Sequence, residues 1–284
     1  KGSTMDFGVT MFPADYAMDI PELARESEAR GFESLWFPEH THMPTATVLN
    51  STGTGPLADE YRRTLDQWVA MAAAAAVTTR IKLGSGICLV TQRDPILLAK
   101  EVASVDHLSN GRVIFGIGAG WNRPEIENHG VPYARRWRMM RERIAAMKTI
   151  WTQDVAEYHG DLVDFGPINS WPKPVQKPHP QIIVGGDGPR AVDHMVEYGD
   201  GWLPHPTGGG ASLEDRMAAA NEKLAEAGRK PVPVTVFGAV GDDAEIAEYI
   251  RLGVARCVLR LPPRQRDEVL PALDRFAALV ARFS

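Results

Sequence analysis

Residues 82–120 read KLGSGICLVTQRDPILLAKEVASVDHLSNGRVIFGIGAG, and this stretch decides the fold class. Two apolar runs, Lys82–Cys88 and Val113–Gly118, flank a segment of helical period that begins with the cap Asp94 and the first-turn proline Pro95. The runs are nearly continuously apolar, which is typical of parallel strands covered by helices. The stretch therefore predicts a strand–helix–strand unit with parallel strands.

The same alternation extends over the rest of the chain. Helix signals separate the apolar runs, such as the capping boxes Asp19/Glu22 and Thr64/Gln67 and the terminating Gly31. Eight strand–helix pairs predict an α/β fold of the closed (β/α)₈, or TIM, barrel type. The six further predicted strands are Phe7–Met11, Ser34–Phe37, Gln181–Gly185, Gly201–Leu203, Val232–Gly238 and Arg256–Leu261.

A doubly wound sheet is the alternative fold, but it usually carries a glycine-rich phosphate turn after its first strand. Here residues 12–15 follow the first strand, and they contain no glycine.

Two connections are long. Residues 41–63, after the second strand, predict a lid loop, and residues 156–180 predict an extended insertion or hairpin before the fifth strand, on the non-catalytic face. Residues 5–284 are expected to form a single barrel domain, preceded at residues 1–4 by a cloning remnant.

Composition excludes several classes of protein. The 284 residues carry 31 Lys and Arg and 36 Asp and Glu, a net charge of −5, and 44% are hydrophobic, which is ordinary globular composition. We expect no nucleic-acid partner, because no basic block is present, and no membrane span or secretory signal, because no apolar run is long enough. Cys88 and Cys257 fall in predicted buried strands, which favours a reducing compartment and a cytoplasmic location.

In a (β/α)₈ enzyme the active site lies at the C-terminal ends of the strands. We expect His40 to act as a catalytic or cofactor-contacting residue, because imidazole exchanges protons near neutral pH. His40 and His42 could alternatively begin a metal site, although such a site needs three or four ligands. Glu39 and Glu125 could form a glycosidase-like pair, but the polar and aromatic groups that bind sugars are missing.

Glycines at the ends of the third to fifth strands predict a flat ligand lying against them. Gly86 interrupts a strand, and residues 116–120 read GIGAG. The turn Gly185-Gly186-Asp187-Gly188 is followed by a helix that opens at Pro189. Its backbone N–H groups and the positive end of the helix dipole predict an anion site, suited to a cofactor phosphate. A plain tight turn is the alternative reading.

These segments resemble the luciferase-like monooxygenase superfamily, and within it the branch that depends on coenzyme F420. The resemblance runs from Phe7 to about Leu203. The matching segments are Leu65–Ala70, Thr78–Gly86, Gln92–Glu101, Leu108–Arg112, Gly116–Trp121 and Ile183–Gly186.

The resemblance implies that a deazaflavin (F420) ring, or alternatively flavin mononucleotide (FMN), occupies the barrel mouth. It implies a cis peptide bond at about Gly86–Ile87 behind the ring, and it places Glu39 and His40 beside the reactive carbon. The family's phosphate turn matches Gly185 and Gly186. The cofactor-binding set is then Met11, His40, Gly86, Ile87, Gly120, Gly185, Gly186, Asp187 and Gly188.

One position departs from the F420-dependent sugar-phosphate dehydrogenases of this branch. They carry an acidic glutamate where this chain has Trp121, which favours an apolar or planar substrate; Glu125 is a candidate replacement for the missing acid. The expected substrate pocket consists of Phe12, His42, Gln92, Trp121 and Asn122.

The sequence thus predicts an F420-dependent oxidoreductase that transfers a hydride to or from a small organic substrate. The alternative is an FMN-dependent monooxygenase supplied by a partner flavin reductase. A non-catalytic flavin carrier and a metal hydrolase built on His40 and His42 remain open, and the family implies a homodimer.

Overall fold

A computed structural model describes residues 5–51, 53, 55–208 and 210–283. The strands in these ranges are β1 (Asp6–Thr10), β2 (Ser34–Phe37), β3 (Lys82–Ser85), β4 (Cys88–Leu89), β5 (Val113–Gly118), β6 (Ala156–His159), β7 (Asp164–Ile168), β8 (Gln181–Gly185), β9 (Gly201–Leu203), β10 (Thr235–Ala239) and β11 (Arg256–Arg260). The α-helices are α1 (Ile20–Ala29), α2 (Gln67–Ala76), α3 (Pro95–Leu108), α4 (Arg123–Asn128), α5 (Arg136–Thr152), α6 (Pro189–Tyr198), α7 (Leu213–Glu226), α8 (Asp243–Arg251) and α9 (Arg266–Phe283).

The main sheet is parallel and follows the order β10-β11-β1-β2-β3-β5-β8-β9. Its two outer strands meet where Trp202 forms a parallel bridge with Val234 and donates its backbone N–H to the carbonyl of Pro233 at 3.0 Å. This contact closes the sheet into a barrel. The predicted (β/α)₈ fold is confirmed.

The third predicted strand is interrupted in the structure. β3 ends at Ser85, and β4 resumes at Cys88 and pairs only with β5. Between them, the peptide bond Gly86–Ile87 is cis, at the position that the family resemblance implied. The continuous strand predicted over Lys82–Cys88 is therefore corrected to two short strands.

Two helix predictions are also corrected. α2 begins at Gln67, and its N-cap is Asp66 rather than Thr64, because the Asp66 carboxylate accepts the backbone N–H groups of Trp68 and Val69. The short helix α4 was not predicted, since six residues are too few to show a helical period.

The barrel interior is filled by large side chains. Trp36 is fully buried there and packs in one cluster with Ile114, Ile183 and Val258. A Cβ atom at Gly84 would overlap the Trp36 indole. Gly84 therefore makes room for a core side chain, so this glycine gives no evidence of a ligand.

The two long connections lie at opposite ends of the barrel. The segment after β2 contains one 3₁₀ turn, Asp59–Tyr61, and runs over the C-terminal ends of the strands. The insertion contains the antiparallel hairpin β6–β7. After the hairpin, Gln176 donates its side-chain amide to the carbonyl of Val113, the first residue of β5, so this segment reaches the N-terminal end of the barrel.

No helix in the described ranges is long and apolar enough to cross a membrane.

A partly buried group of charged residues links three strands at the N-terminal end of the barrel. The Arg256 guanidinium donates from Nε and Nη2 to the two carboxylate oxygens of Glu33 at 2.8 and 2.9 Å, and Lys82 Nζ lies 2.7 Å from the same carboxylate. Burial favours the neutral acid, but hydrogen bonds and charge from Arg256, with Lys82, outweigh it and lower the pKa of Glu33 to about 2 from 4.5.

We predict that Glu33→Gln lowers the free energy of unfolding by roughly 3 kcal/mol at neutral pH, from ~1.4 kcal/mol per pKa unit. Because the folded pKa is depressed, this stabilisation is complete above about pH 4.5 and is lost as the pH falls through about 2. Denaturant unfolding between pH 7 and 2 measures the difference. Glu222→Gln, an exposed change on α7, is the control; a pH-independent deficit would contradict the assignment.

Candidate active site

A cavity of about 560 Å³ opens at the C-terminal ends of the barrel strands. This volume is in the range of small-molecule and cofactor sites. Of the residues predicted for the site, the cavity wall contains Met11, Phe12, Glu39, His40, Gly86, Ile87, Gly120, Trp121, Gly185 and Gly186. The structure therefore brings most of the predicted site residues together.

His40 is held by a carboxylate from another part of the chain. Its Nδ1 lies 3.0 and 2.9 Å from the two carboxylate oxygens of Glu125, and both residues are buried. Nδ1–H therefore donates to Glu125, and Nε2 has no protein partner in the described ranges. An imidazole oriented in this way can take up or give a proton at Nε2.

The short helix α4 positions Glu125. Asn122 is the N-cap residue, Pro124 lies in the first turn, and Glu125 follows with 1% exposure. From the first turn of α4, its carboxylate reaches the His40 ring. Glu125, the candidate replacement for the acid missing at Trp121, thus lies against the His40 ring.

Glu39 has a structural position that the sequence did not reveal. One of its carboxylate oxygens accepts the backbone N–H of Leu89 at 2.7 Å, and the other accepts Nε of Arg93 at 2.6 Å. Arg93 also pairs with Asp66 and Glu101. Glu39 is thus engaged away from its neighbour His40, and the carboxylate that contacts His40 is that of Glu125.

Aromatic rings surround His40. The ring of Tyr61, from the loop after β2, lies 5.1 Å from the His40 ring and 4.8 Å from that of Phe12. Trp121 approaches His40 edge-on at 5.9 Å. These walls suit an apolar or planar ligand and limit the access of water.

Behind these rings, the cavity floor is made of glycines and Ile87. A Cβ atom at Gly118 would overlap the Ile87 side chain, and one at Gly185 would lie 3.0 Å from it. A Cβ atom at Gly86 would likewise overlap the Phe237 ring. The glycines at 118 and 185 therefore make room for the Ile87 side chain, which packs against β5 and β8 and forms part of the cavity wall.

The glycine-rich turn after β8 has the geometry of an anion site, with one acidic residue inside it. Gly186 has φ +115°, and Gly188 is the N-cap of α6. Asp187 turns away to pair with Arg216 and to accept the backbone N–H of His205 at 3.2 Å, so Arg216 compensates its charge. Asp187 and Gly188 do not line the cavity wall, although they flank its Gly185–Gly186 edge.

Three residues predicted for the substrate pocket lie elsewhere. His42 accepts the Asn128 amide at 2.9 Å, and Gln92 accepts the Thr41 hydroxyl at 3.1 Å. Asn122 donates to the Thr47 hydroxyl at 3.1 Å. These side chains hold the loop after β2, which runs close to α4. The prediction that they line the substrate pocket is therefore corrected.

Sequence reasoning missed Tyr61, Trp137, Phe237 and Arg260 as lining residues. Arg260 was detectable in principle, since it is a basic residue near the C-terminal end of a predicted strand.

In the described ranges no group of three or more His, Cys, Asp or Glu side chains could hold a metal ion. Burial raises the pKa of the thiols of Cys88 and Cys257, so neither is a reactive thiolate.

Comparison with known proteins adds independent information. Residues 5–269 match the family model described as luciferase-like monooxygenase. The uncharacterized protein Rv0953c of Mycobacterium tuberculosis is 38% identical over 282 residues, which cover 98% of this chain and 99% of that protein.

Two relatives named for their cofactors differ in which cofactor they use. An F420-dependent glucose-6-phosphate dehydrogenase of Amycolatopsis mediterranei is 29% identical and covers 75% of this chain and 61% of its own. An FMNH(2)-dependent dimethylsulfone monooxygenase of Pseudomonas putida is 34% identical, covering 55% and 42%.

Solved structures share the fold. The coenzyme F420-dependent tetrahydromethanopterin reductase of Methanopyrus kandleri has a TM-score of 0.77 at 18% identity and covers 99% of this chain and 100% of its own. The oxygenating constituent of 3,6-diketocamphane monooxygenase of Pseudomonas putida, in complex with FMN, has a TM-score of 0.65 at 20% identity, covering 89% and 77%.

We predict that Asn122→Ala loosens the loop after β2 while lowering the free energy of unfolding by only about 1 kcal/mol, because it removes part-buried hydrogen bonds to Met43 and Thr47. Hydrogen exchange should speed up over residues 43–50 and stay slow in β5. Asn221→Ala, an exposed change on α7, is the control. Unchanged exchange in the loop would show that Asn122 does not fasten it.

Proposed function

The chain belongs to the luciferase-like monooxygenase family, and on this premise we propose that it is an F420-dependent oxidoreductase acting on a small organic substrate. The observation that carries the proposal is the buried His40–Glu125 pair at the edge of a glycine-floored cavity. This arrangement provides one oriented proton-exchanging group beside a flat surface that a planar ring can cover.

The residues present fit such a group. The cavity wall that contains Met11, Ile87, Gly118, Gly120 and Gly185 would carry the ring. The Gly185–Gly188 turn and the first N–H groups of α6 would hold the phosphate, since the first turn of a helix leaves N–H groups free. Arg216 compensates the Asp187 carboxylate that would otherwise repel an anion.

Within this site, a bound deazaflavin supplies the chemistry of hydride transfer. The chain's own part is proton handling and exclusion of water. Glu125 fixes Nδ1–H of His40 and leaves Nε2 to give or accept the proton that accompanies oxidation or reduction of the substrate. Tyr61 and Trp121 shield His40, and the loop after β2 covers the cavity.

The F420 assignment is supported by the extent of the sequence match. The F420-dependent relative covers three-quarters of this chain, whereas the FMN-dependent one covers about half. An FMN-dependent monooxygenase with a partner flavin reductase is the second candidate. The FMN-dependent relative has the higher sequence identity to this chain over the residues that align, 34% against 29%.

The first experiment is a titration of the purified protein with F420 and, separately, with FMN, followed by quenching of tryptophan fluorescence. Trp36, Trp121 and Trp137 belong to or adjoin the cavity, so a bound ring should quench them. We expect tighter binding of F420. Tighter binding of FMN, together with rapid oxygen consumption by the reduced complex, would establish the monooxygenase instead.

We predict that His40→Ala lowers kcat by about 10²- to 10⁴-fold, the usual effect of removing a general acid or base, while cofactor affinity changes little. Glu125→Gln should lower kcat, since an amide replaces the carboxylate that accepts Nδ1–H of His40. Glu127→Gln, exposed on the same helix, is the matched control. Normal turnover by His40→Ala would refute the assigned role.

A further inference from the structure

Two histidines fasten one end of the loop after β2 to α4. The hydroxyl oxygen of Thr41 lies 3.0 Å from His42 Nδ1 and 2.8 Å from Nε2 of His129, the C-cap of α4. The same hydroxyl donates to Gln92 Oε1 at 3.1 Å. On the other side of the His42 ring, Nε2 lies 2.9 Å from the side-chain nitrogen of Asn128 on α4. The attachment of the loop therefore depends on two imidazole rings.

The available hydrogen atoms define the state of both rings. A hydroxyl group has one hydrogen and two lone pairs. Because Thr41 gives its hydrogen to Gln92, both neighbouring ring nitrogens donate to its oxygen, as Nδ1–H of His42 and Nε2–H of His129. His42 Nε2 then keeps a lone pair, which accepts the Asn128 amide. These contacts are satisfied together only while His42 is neutral.

Protonation of the rings opposes this arrangement in two ways. A proton added to His42 lies on Nε2 and faces the N–H group of Asn128, so two donors meet. Rotation of that amide would relieve this contact but not the second effect. The ring centroids of His42 and His129 are 5.4 Å apart, so protonation of both brings two positive charges together.

Charged groups from the neighbouring elements also act on this pair. Arg143 on α5 adds positive charge, whereas Glu125 on α4 and Glu39 after β2 favour protonation of His129. Both carboxylates are already engaged by other groups of the site. Burial is the largest influence and the charge of His42 is the next, and together they hold the pKa of the His129 imidazole below its ordinary value of 6.5.

We propose that the His42–His129 pair makes closure of the loop depend on pH, so that the loop is fastened to α4 at neutral pH and released in acid. The fastened state takes up protons less readily than the released state, because the pKa of His129 is lowered in it. Its stability is therefore complete above about pH 6.5 and is lost as the pH falls below that value. Release would widen the cavity entrance, since the loop lines it with Asn50, Ser51, Pro56, Ala58 and Tyr61.

The other end of the loop is held by contacts of a different kind. Arg63 Nε donates to the Asp15 carboxylate at 2.8 Å, and the backbone N–H of Leu65 donates to the carbonyl of Pro13 at 2.8 Å. Neither contact contains an imidazole, the side chain that ordinarily changes charge between about pH 5 and 8. Acid should therefore free residues 42–50 and leave residues 63–65 in place.

The test measures hydrogen exchange of the purified protein at about pH 7.5 and about pH 5.5. Exchange is expressed as protection factors, which removes the pH dependence of the chemical exchange itself. We expect protection of residues 42–50 to fall by up to about tenfold at the lower pH, one unit below the pKa of a free imidazole. Protection of residues 63–65 and of β5 should stay the same.

Variants assign the response to the two rings. The double variant His42→Gln/His129→Gln replaces each imidazole by an amide that can donate to Thr41 but takes up no proton. Its loop should have the same protection at both pH values, even if that protection is lower than in wild type. His107→Gln, an exposed change on α3, is the matched control and should keep the acid response of wild type.

Two results would overturn the proposal. One is equal protection of residues 42–50 at both pH values in wild type, and the other is an acid response that persists in the double variant. The measurement needs neither cofactor nor substrate, so it is independent of the proposed function. A protein that binds neither F420 nor FMN would refute that function and leave this test unchanged.

Discussion

Packing of the Trp36 indole inside the barrel is the constraint on which the rest of the structure depends. The indole occupies the space where neighbouring strands approach one another, and Gly84 on β3 leaves room for it, since a Cβ atom there would overlap the ring. Trp36 Nε1 donates to Ser34 Oγ at 2.8 Å, so the polar atom of the ring is satisfied within the core. Because side chains fill the barrel interior, the open volume is confined to the C-terminal ends of the strands, where the loops can form a site.

The sequence predicted this architecture well because the signals are local. Ser34–Phe37, Val113–Gly118, Gln181–Gly185 and Gly201–Leu203 have the predicted bounds, since each apolar run ends at residues that cannot continue it. The cap of α2 was misassigned because Thr64 and Asp66 are both good N-cap residues, and only the path of the preceding loop chooses between them.

The candidate site was predictable in position but not in its pairings. His40, Trp121 and the glycine-rich turn all follow strand ends, so the fold alone places them together at the mouth of the barrel. The partner of His40 is 85 residues away on a helix too short to be recognised, and the adjacent Glu39 was the simpler choice. Glu39 is instead held by Leu89 and Arg93, contacts that depend on the break between β3 and β4.

The short helix α4 has two attachments with different purposes. Through Glu125 it holds His40, and through Asn122 and Asn128 it holds the loop that covers the cavity. Any movement that opens the loop by displacing α4 also removes the partner of the imidazole. The orientation of the His40 ring and the anchoring of the loop over the cavity therefore rest on the same short helix, so a substitution that weakens α4 acts on both at once.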